Sequence, residues 1–233
     1  MHLFHAQQLD AGVVSLPEEE AHHALSVLRL RPGAQVMLFD GNGTSAVAEI
    51  LRLDKRACEL NVLKRETHPE ERKAKIHLAV GLTKQADRFE WFVEKAVEVG
   101  VDRITPLITE RTERGKIRPE RLERVALAAA KQSQRFWLPR IDVAQEPKDL
   151  LKEELPEQRF FGWCAGEHAP LMRLYTTTAD TIVLIGPEGD LSPNEAKMLG
   201  ENGFLAVSLG NARLRTETAA IAACTWMSLA QQR

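Results

Sequence analysis

Hydrophobic and polar positions follow two successive rhythms along this chain, and the rhythm changes near residue 75. Before that point the apolar runs are short. Ala21, Ala24, Leu25 and Leu28 share one stripe at helical spacing, which predicts an amphipathic helix from Glu18 to Leu28. Pro32-Gly33 then turns the chain into a strand, Val36 to Phe39. Asp40-Gly41-Asn42-Gly43 marks a hairpin, because these residues accept positive φ at little cost. Ala46, Ala48 and Ile50 alternate with Val47, Glu49 and Leu51 in the next strand, and Cys58 to Leu63 supplies another. Short strands with tight turns predict a small β-barrel over residues 1–70. The charged stretch from Lys64 to Lys75, with Pro69 inside it, reads as a linker to a second domain over residues 73–233.

From Ile76 the pattern becomes strand, helix, strand, helix. Ile76 to Val80 is an apolar strand. Asp87 with Glu90 three residues on predicts a capping box, Phe89, Phe92, Val93, Ala96 and Val97 a buried face, and Gly100 the helix stop. Ile104 to Ile108 reads as a strand, and Pro119 suits the first turn of a helix running to about Phe136. Phe160 to Trp163, Thr181 to Ile185 and Phe204 to Leu209 are further strands. Alternation of this kind predicts an α/β domain with a parallel sheet covered by helices.

Two of these strands end in glycine. Thr181 to Ile185 runs into Gly186-Pro187-Glu188-Gly189-Asp190, and a helix restarts with Ser192 as N-cap, Pro193 in its first turn and Glu195 closing a capping box. Phe204 to Leu209 runs into Gly210-Asn211, and Thr216 reads as the N-cap of a helix rich in alanine. Ligands of open α/β sheets bind beyond the carboxyl ends of strands, where a glycine lets them approach the backbone. A tight strand-to-helix turn would ask for the same glycines. Arg213 and Arg215 suit an anion, or equally an ion pair with Glu217. Neither loop is Gly-x-x-x-x-Gly-Lys or Gly-x-Gly-x-x-Gly, which disfavours the usual nucleotide-phosphate cradles.

Composition changes this picture in one place. The net charge is −2, yet Arg103 to Arg140 holds 10 basic side chains against 4 acidic ones, a local excess able to attract phosphates. Solvated helix surfaces would read the same way. Three scattered cysteines without a Cys-x-x-Cys pair suggest neither a disulfide framework nor a zinc site. No apolar stretch approaches a membrane span, and the start lacks a signal-peptide pattern, so a cytoplasmic protein without metal is expected.

The loops, taken together, carry a resemblance. Ile185-Gly186-Pro187-Glu188-Gly189 and Leu209-Gly210 with Leu214-Arg215-Thr216-Glu217-Thr218-Ala219 resemble the signatures of the RsmE family, ribosomal RNA small-subunit uridine N3-methyltransferases of the SPOUT superfamily. Lys84 to Gly100, Glu110-Arg111-Thr112, Gln132-Ser133 with Arg135 and Pro139, and His23 to Arg29 are similar to further family segments in the same order. Asp190 stands where the family usually has a second glycine. The resemblance implies a PUA-like, RNA-binding barrel followed by a SPOUT α/β domain with a trefoil knot. It also implies a homodimer and S-adenosylmethionine as cofactor, with 16S ribosomal RNA or the small ribosomal subunit as partner. Carried over residue by residue, it assigns Ile185, Gly186, Gly189, Leu209, Gly210, Leu214 and Thr218 to the cofactor.

Removing the uridine N3 proton calls for a base, or for cations that stabilise the anion on the uracil oxygens. Arg135 and Arg215 are the candidate cations, and Glu188 and Glu217 the candidate carboxylates, each of which also suits a loop or cap hydrogen bond. Arg29, Arg111, Arg114, Lys116, Arg118, Arg121 and Arg124 form the expected RNA surface. A related SPOUT enzyme acting on ribose or transfer RNA, and a ribosome-assembly factor that binds RNA without catalysis, are the competing readings.

Overall fold

The structure is a computed structural model that describes every residue except Glu71, Arg114, Gly115, Lys116 and Arg233. Two of the expected RNA contacts, Arg114 and Lys116, therefore lie outside the described residues. The chain forms two compact units, Met1–Glu71 with Ala130–Leu138, and Arg72–Ala129 with Pro139–Arg233.

The first unit holds a five-stranded sheet built from β1 (Leu3–His5), β2 (Val13–Leu16), β3 (Gln35–Phe39), β4 (Thr44–Leu53) and β5 (Cys58–Thr67), in the order β1-β3-β4-β5-β2. β1 runs parallel to β3 and the other pairs are antiparallel. Alternate residues, among them Val36, Leu38, Ala48, Ile50 and Leu60, face one core together with Phe4 and Ala21. Asp40 shapes the hairpin: its Oδ1 accepts from Asn42 N at 2.7 Å and Thr44 N at 2.9 Å. The expected linker is shorter than its charge suggests. β5 continues through Thr67, with Lys64 to Thr67 paired to Val47 to Thr44, so these exposed charges mark a strand's solvent face. The first helix also differs. After α1 (Glu18–His22) the chain widens into a π-helical turn, His23–Val27, closed by Leu28 N to His23 O at 3.0 Å, and Arg29 takes φ +55°.

Segment Ala130–Leu138 packs on this hairpin. Gly43 N donates to Phe136 O at 3.0 Å, Leu138 N to Gly41 O at 2.9 Å, and Phe136 stacks on His68 at 4.2 Å.

The second unit alternates β6 (Ile76–Gly81), α2 (Ala86–Val99), β7 (Arg103–Leu107), α3 (Pro119–Ser133), β8 (Arg140–Ile141), α4 (Pro147–Leu150), β9 (Gln158–Gly162), α5 (Leu171–Leu174), β10 (Thr181–Ile185), α6 (Pro193–Glu201), β11 (Leu205–Val207) and α7 (Thr216–Ala230). The last residues of α3, from Ala130, count with the first unit. Six strands form a wholly parallel sheet in the order β11-β9-β10-β6-β7-β8. The α/β architecture with a parallel sheet, preceded by a smaller sheet domain, is as the sequence predicts.

Helix ends show where local signals succeed and where they fail. Gly100 caps α2 in the left-handed region, with its N–H on Ala96 O at 2.8 Å, and Ser192 with Glu195 forms a true capping box on α6. The Asp87 capping box does not form. α2 begins two residues earlier than that cap would place it, after Gln85, and Glu90 is drawn instead to Arg121. Asp87 sits in the first turn, where the helix dipole still favours a negative charge. α3 stops at Ser133, short of Phe136, because Gln134 takes φ +56°. Thr216 is the first residue of α7 rather than its cap, a position held by Arg215.

One polar cluster is buried at the β6–β7–β8 side of the sheet. His77 Nε2 lies 2.7 Å from Thr105 Oγ1, Thr105 donates to Asp142, and Arg103 Nε donates to Asp142 Oδ2 at 2.7 Å. Burial, followed by the charge of Arg103, pushes the His77 imidazole down to about 3.

Candidate functional site

Neighbours β11, β9 and β10 point their carboxyl ends the same way, so three loops leave the sheet side by side. They enclose a cavity of about 950 Å³ lined by Gly162 to Cys164, Gly166 to His168, Ile185 to Glu188 with Asp190, and Val207 to Thr216 with Ala219. Its lining mixes backbone, apolar side chains such as Ile185, Val207 and Leu214, and the charged groups Glu167, Glu188, Asp190, Arg213 and Arg215. Such a site suits a ligand with both a flat apolar part and charged ends.

Sterics explain why the first loop is glycine-bearing. A Cβ on Gly186 would stand 2.8 Å from Leu191 N, and one on Gly81, the last residue of β6, 2.5 Å from Pro187 N. The loop thus lies pressed on the end of the neighbouring strand. Thr216 fixes it from the other side, donating its buried hydroxyl to Gly186 O at 3.0 Å, so the start of α7 is tied to the β10 loop. Arg111 Nη1 donates to Gly189 O at 2.7 Å and Lys84 N to Glu188 Oε1 at 3.0 Å. The second bend is held by Ser208, whose Oγ accepts from Gly210 N at 3.3 Å and donates to Gly210 O at 3.0 Å.

The expected site residues divide accordingly. Ile185, Gly186, Leu209, Gly210 and Leu214 line the cavity, as do Glu188 and Arg215. Gly189 and Thr218 do not: Gly189 backs on Arg111, and Thr218 is exposed on α7. Glu217 is buried behind the lining, with Arg88 Nη1 3.7 Å from its Oε1, so it does not pair with Arg213 or Arg215 in the way the sequence left open. Arg135 belongs to the first unit and is not part of the lining. Among the expected RNA contacts, Arg29, Arg111, Arg118, Arg121 and Arg124 are exposed, with Arg121 forked on Glu90.

The third wall, Gly162-Trp163-Cys164 and Glu167-His168, is not among the site residues expected from sequence. Its signal was present: Phe160-Phe161 followed by glycine repeats the strand-then-glycine pattern of the other two loops. Gly162 matters because a Cβ there would lie 3.2 Å from Ile185 Cδ1 and 3.6 Å from Leu209 Cδ1, side chains of both flanking loops. Burial and the Asp190 carboxylate push the Cys164 thiol up, which keeps it a poor nucleophile. No cluster of metal-ligating side chains occurs among the described residues, and no helix there is long and apolar enough to cross a membrane.

Comparison with known proteins agrees with this geometry. An RNA methyltransferase domain family matches residues 70–228, and an RNA methyltransferase PUA domain family matches residues 16–63. The ribosomal RNA small subunit methyltransferase E of Mycobacterium bovis is 30% identical, over 95% of this chain and 88% of its own length. A crystal structure of a probable rRNA-methyltransferase from Porphyromonas gingivalis shares 36% identity and a TM-score of 0.92, covering 100% of this chain and 99% of the other. The ribosomal RNA small subunit methyltransferase E of Neisseria gonorrhoeae, bound to S-adenosyl methionine, shares 30% identity and a TM-score of 0.87, covering 97% and 96%.

Proposed function

The chain belongs to the ribosomal RNA small subunit methyltransferase E family, and on that premise we propose that it methylates N3 of a uridine in the decoding region of 16S ribosomal RNA. The assembled small subunit is the substrate, S-adenosylmethionine the donor, and a cytoplasmic homodimer with a knotted donor site the working form. One observation carries the reading most directly: a cavity of about 950 Å³ formed where the Gly186 and Gly210 bends leave a parallel sheet.

S-adenosylmethionine supplies, when bound, a methyl group on a positively charged sulfur. The residues that would hold it are the backbone of Gly186 and Gly210 with the side chains of Ile185, Leu209 and Leu214. These would leave room for a flat base between apolar side chains. Positioning supplies much of the acceleration of such an in-line transfer. On the cavity wall Arg215 would stabilise the uracil oxygens as the N3 proton leaves, and Glu188, steadied by Lys84 N, would take that proton. Glu217, paired to Arg88 behind the lining, would serve the loop rather than the proton. RNA would reach the site along Arg111, Arg118, Arg121 and Arg124, so binding should weaken steeply with salt as counterions are released.

The test is methyl transfer from labelled donor to small subunits and to naked 16S RNA, followed by mass spectrometry of the nucleosides. N3-methyluridine, formed preferentially on subunits, is expected. Label on a ribose, or donor binding without transfer to either substrate, would overturn the assignment.

A further inference from the structure

The third wall of the cavity has an attachment that the function proposed above leaves unused. β9 leaves the sheet at Gly162, and Cys164, Gly166, Glu167 and His168 line the opening beyond it. The far end of this wall is fastened to the sheet, with Ser208 N on Ala169 O and Leu171 N on Ser208 O, both at 3.0 Å. Its near end is fastened to the neighbouring loop by one side chain. Cys164 N donates to Asp190 Oδ2 at 3.2 Å, while Asp190 Oδ1 accepts from Leu191 N at 2.8 Å.

Asp190 holds an unusual backbone to do this. Its φ is +62°, and its own N–H donates to Pro187 O at 2.8 Å. Left-handed backbone disfavours most side chains, but aspartate and asparagine tolerate it through local hydrogen bonds. Glycine would adopt the turn with less strain, yet it would have no atom to reach Cys164. The carboxylate therefore joins two loops that leave different strands.

We propose that Asp190 is a positioning residue for the donor site: it ties the Cys164–His168 wall to the Gly186 loop and so sets how long a bound donor stays. The proposal rests on reading the cavity as the donor site. Without the tie, the wall keeps its backbone bonds at Trp163 and Ala169 and loses the one at Cys164, so the cavity is less well closed on that side.

The experiment compares the unsubstituted protein with Asp190→Gly and Asp190→Asn, using S-adenosylmethionine binding and dissociation, steady-state methylation, and amide exchange at Cys164. Asp190→Gly should raise the donor Kd roughly fivefold to twentyfold, mainly through faster dissociation, with a much smaller change in kcat at saturating donor. Asp190→Asn has one acceptor oxygen for two N–H groups, so it keeps the bond from Cys164 N only by giving up the one from Leu191 N, and its donor Kd should fall between those of the parent and the glycine variant. Equal donor binding by the glycine variant and the parent would overturn the tie. If the parent binds no donor, the proposed function fails by itself. Cys164 amide exchange still judges the tie, since faster exchange in the glycine variant upholds it and unchanged exchange overturns it.

Discussion

Replacing Gly81 by alanine perturbs the candidate site from beneath, without substituting any lining residue. A Cβ at this position would stand 2.5 Å from Pro187 N and 2.9 Å from Gly186 C, both backbone atoms. Ordinary contact begins near 3.4 Å, so the β10 loop must lift by about 0.9 Å or β6 must sink by the same amount. β6 is buried along its whole length and paired on both sides, by β10 and β7, which leaves the loop as the part that gives. Forcing a methyl into a packed site typically costs about 1–3 kcal/mol. For a protein of this size that is a fall in Tm of roughly 3–10 °C. A loop displaced by that much no longer matches its ligand, and S-adenosylmethionine binding by calorimetry should weaken by about tenfold or more. Gly189→Ala is the internal control, since its Cβ would meet only the Arg111 side chain, at 3.4 Å, and should leave donor affinity within about twofold. A Gly81→Ala protein with parental Tm and parental donor affinity would refute the claim that this contact seats the loop.

Three further outcomes follow from the same structure. Thr216→Val removes the buried hydroxyl that donates to Gly186 O, and should cost about 1–2 kcal/mol, or roughly 2–6 °C in Tm, while weakening donor binding; an unchanged Tm would contradict a structural role for that bond. His77 titrates near 3 when folded and near 6.5 when unfolded, so the unfolded chain binds the extra proton between these values and stability rises with pH across that window. Between pH 6.5 and 5 the parent should therefore lose up to about 2 kcal/mol that His77→Gln does not lose, measured by urea unfolding; parallel pH slopes would show that His77 is not held neutral by burial. Arg215→Ala should cut single-turnover methylation by about a hundredfold while leaving donor affinity nearly intact, and an unchanged rate would remove Arg215 from the chemistry.

Much of this architecture was legible because its signals are local. Thr181–Ile185 is an unbroken apolar run between polar residues, Gly100 ends a periodic helix, and Ser192-Pro193 with Glu195 spells its own cap. Failures arise where a distant partner decides. Glu90 fits a capping box in sequence but meets Arg121 in space, and Thr216 reads as a cap until Gly186 O takes its hydroxyl. Gly81 looks like an ordinary strand end; only its closeness to Pro187, over a hundred residues away, gives it a role. Likewise Gln132 to Leu138 reads as the end of a helix in an α/β domain, whereas its packing on the Gly41–Gly43 hairpin places it with the first unit. Two glycine loops were found by sequence because glycine is conspicuous. Gly162 lies inside the apolar run Phe160 to Trp163, which reads as continuous strand, so the glycine does not stand out as a bend.

The central claim is that the space between the Gly186 and Gly210 bends holds the methyl donor. A crystal structure of the protein with S-adenosylmethionine tests it most directly. The account predicts the donor in that space, touching the backbone of both bends, with the third wall at Cys164–His168 beside it. A donor bound elsewhere, or bends closed on each other by side chains from the lining, would contradict it.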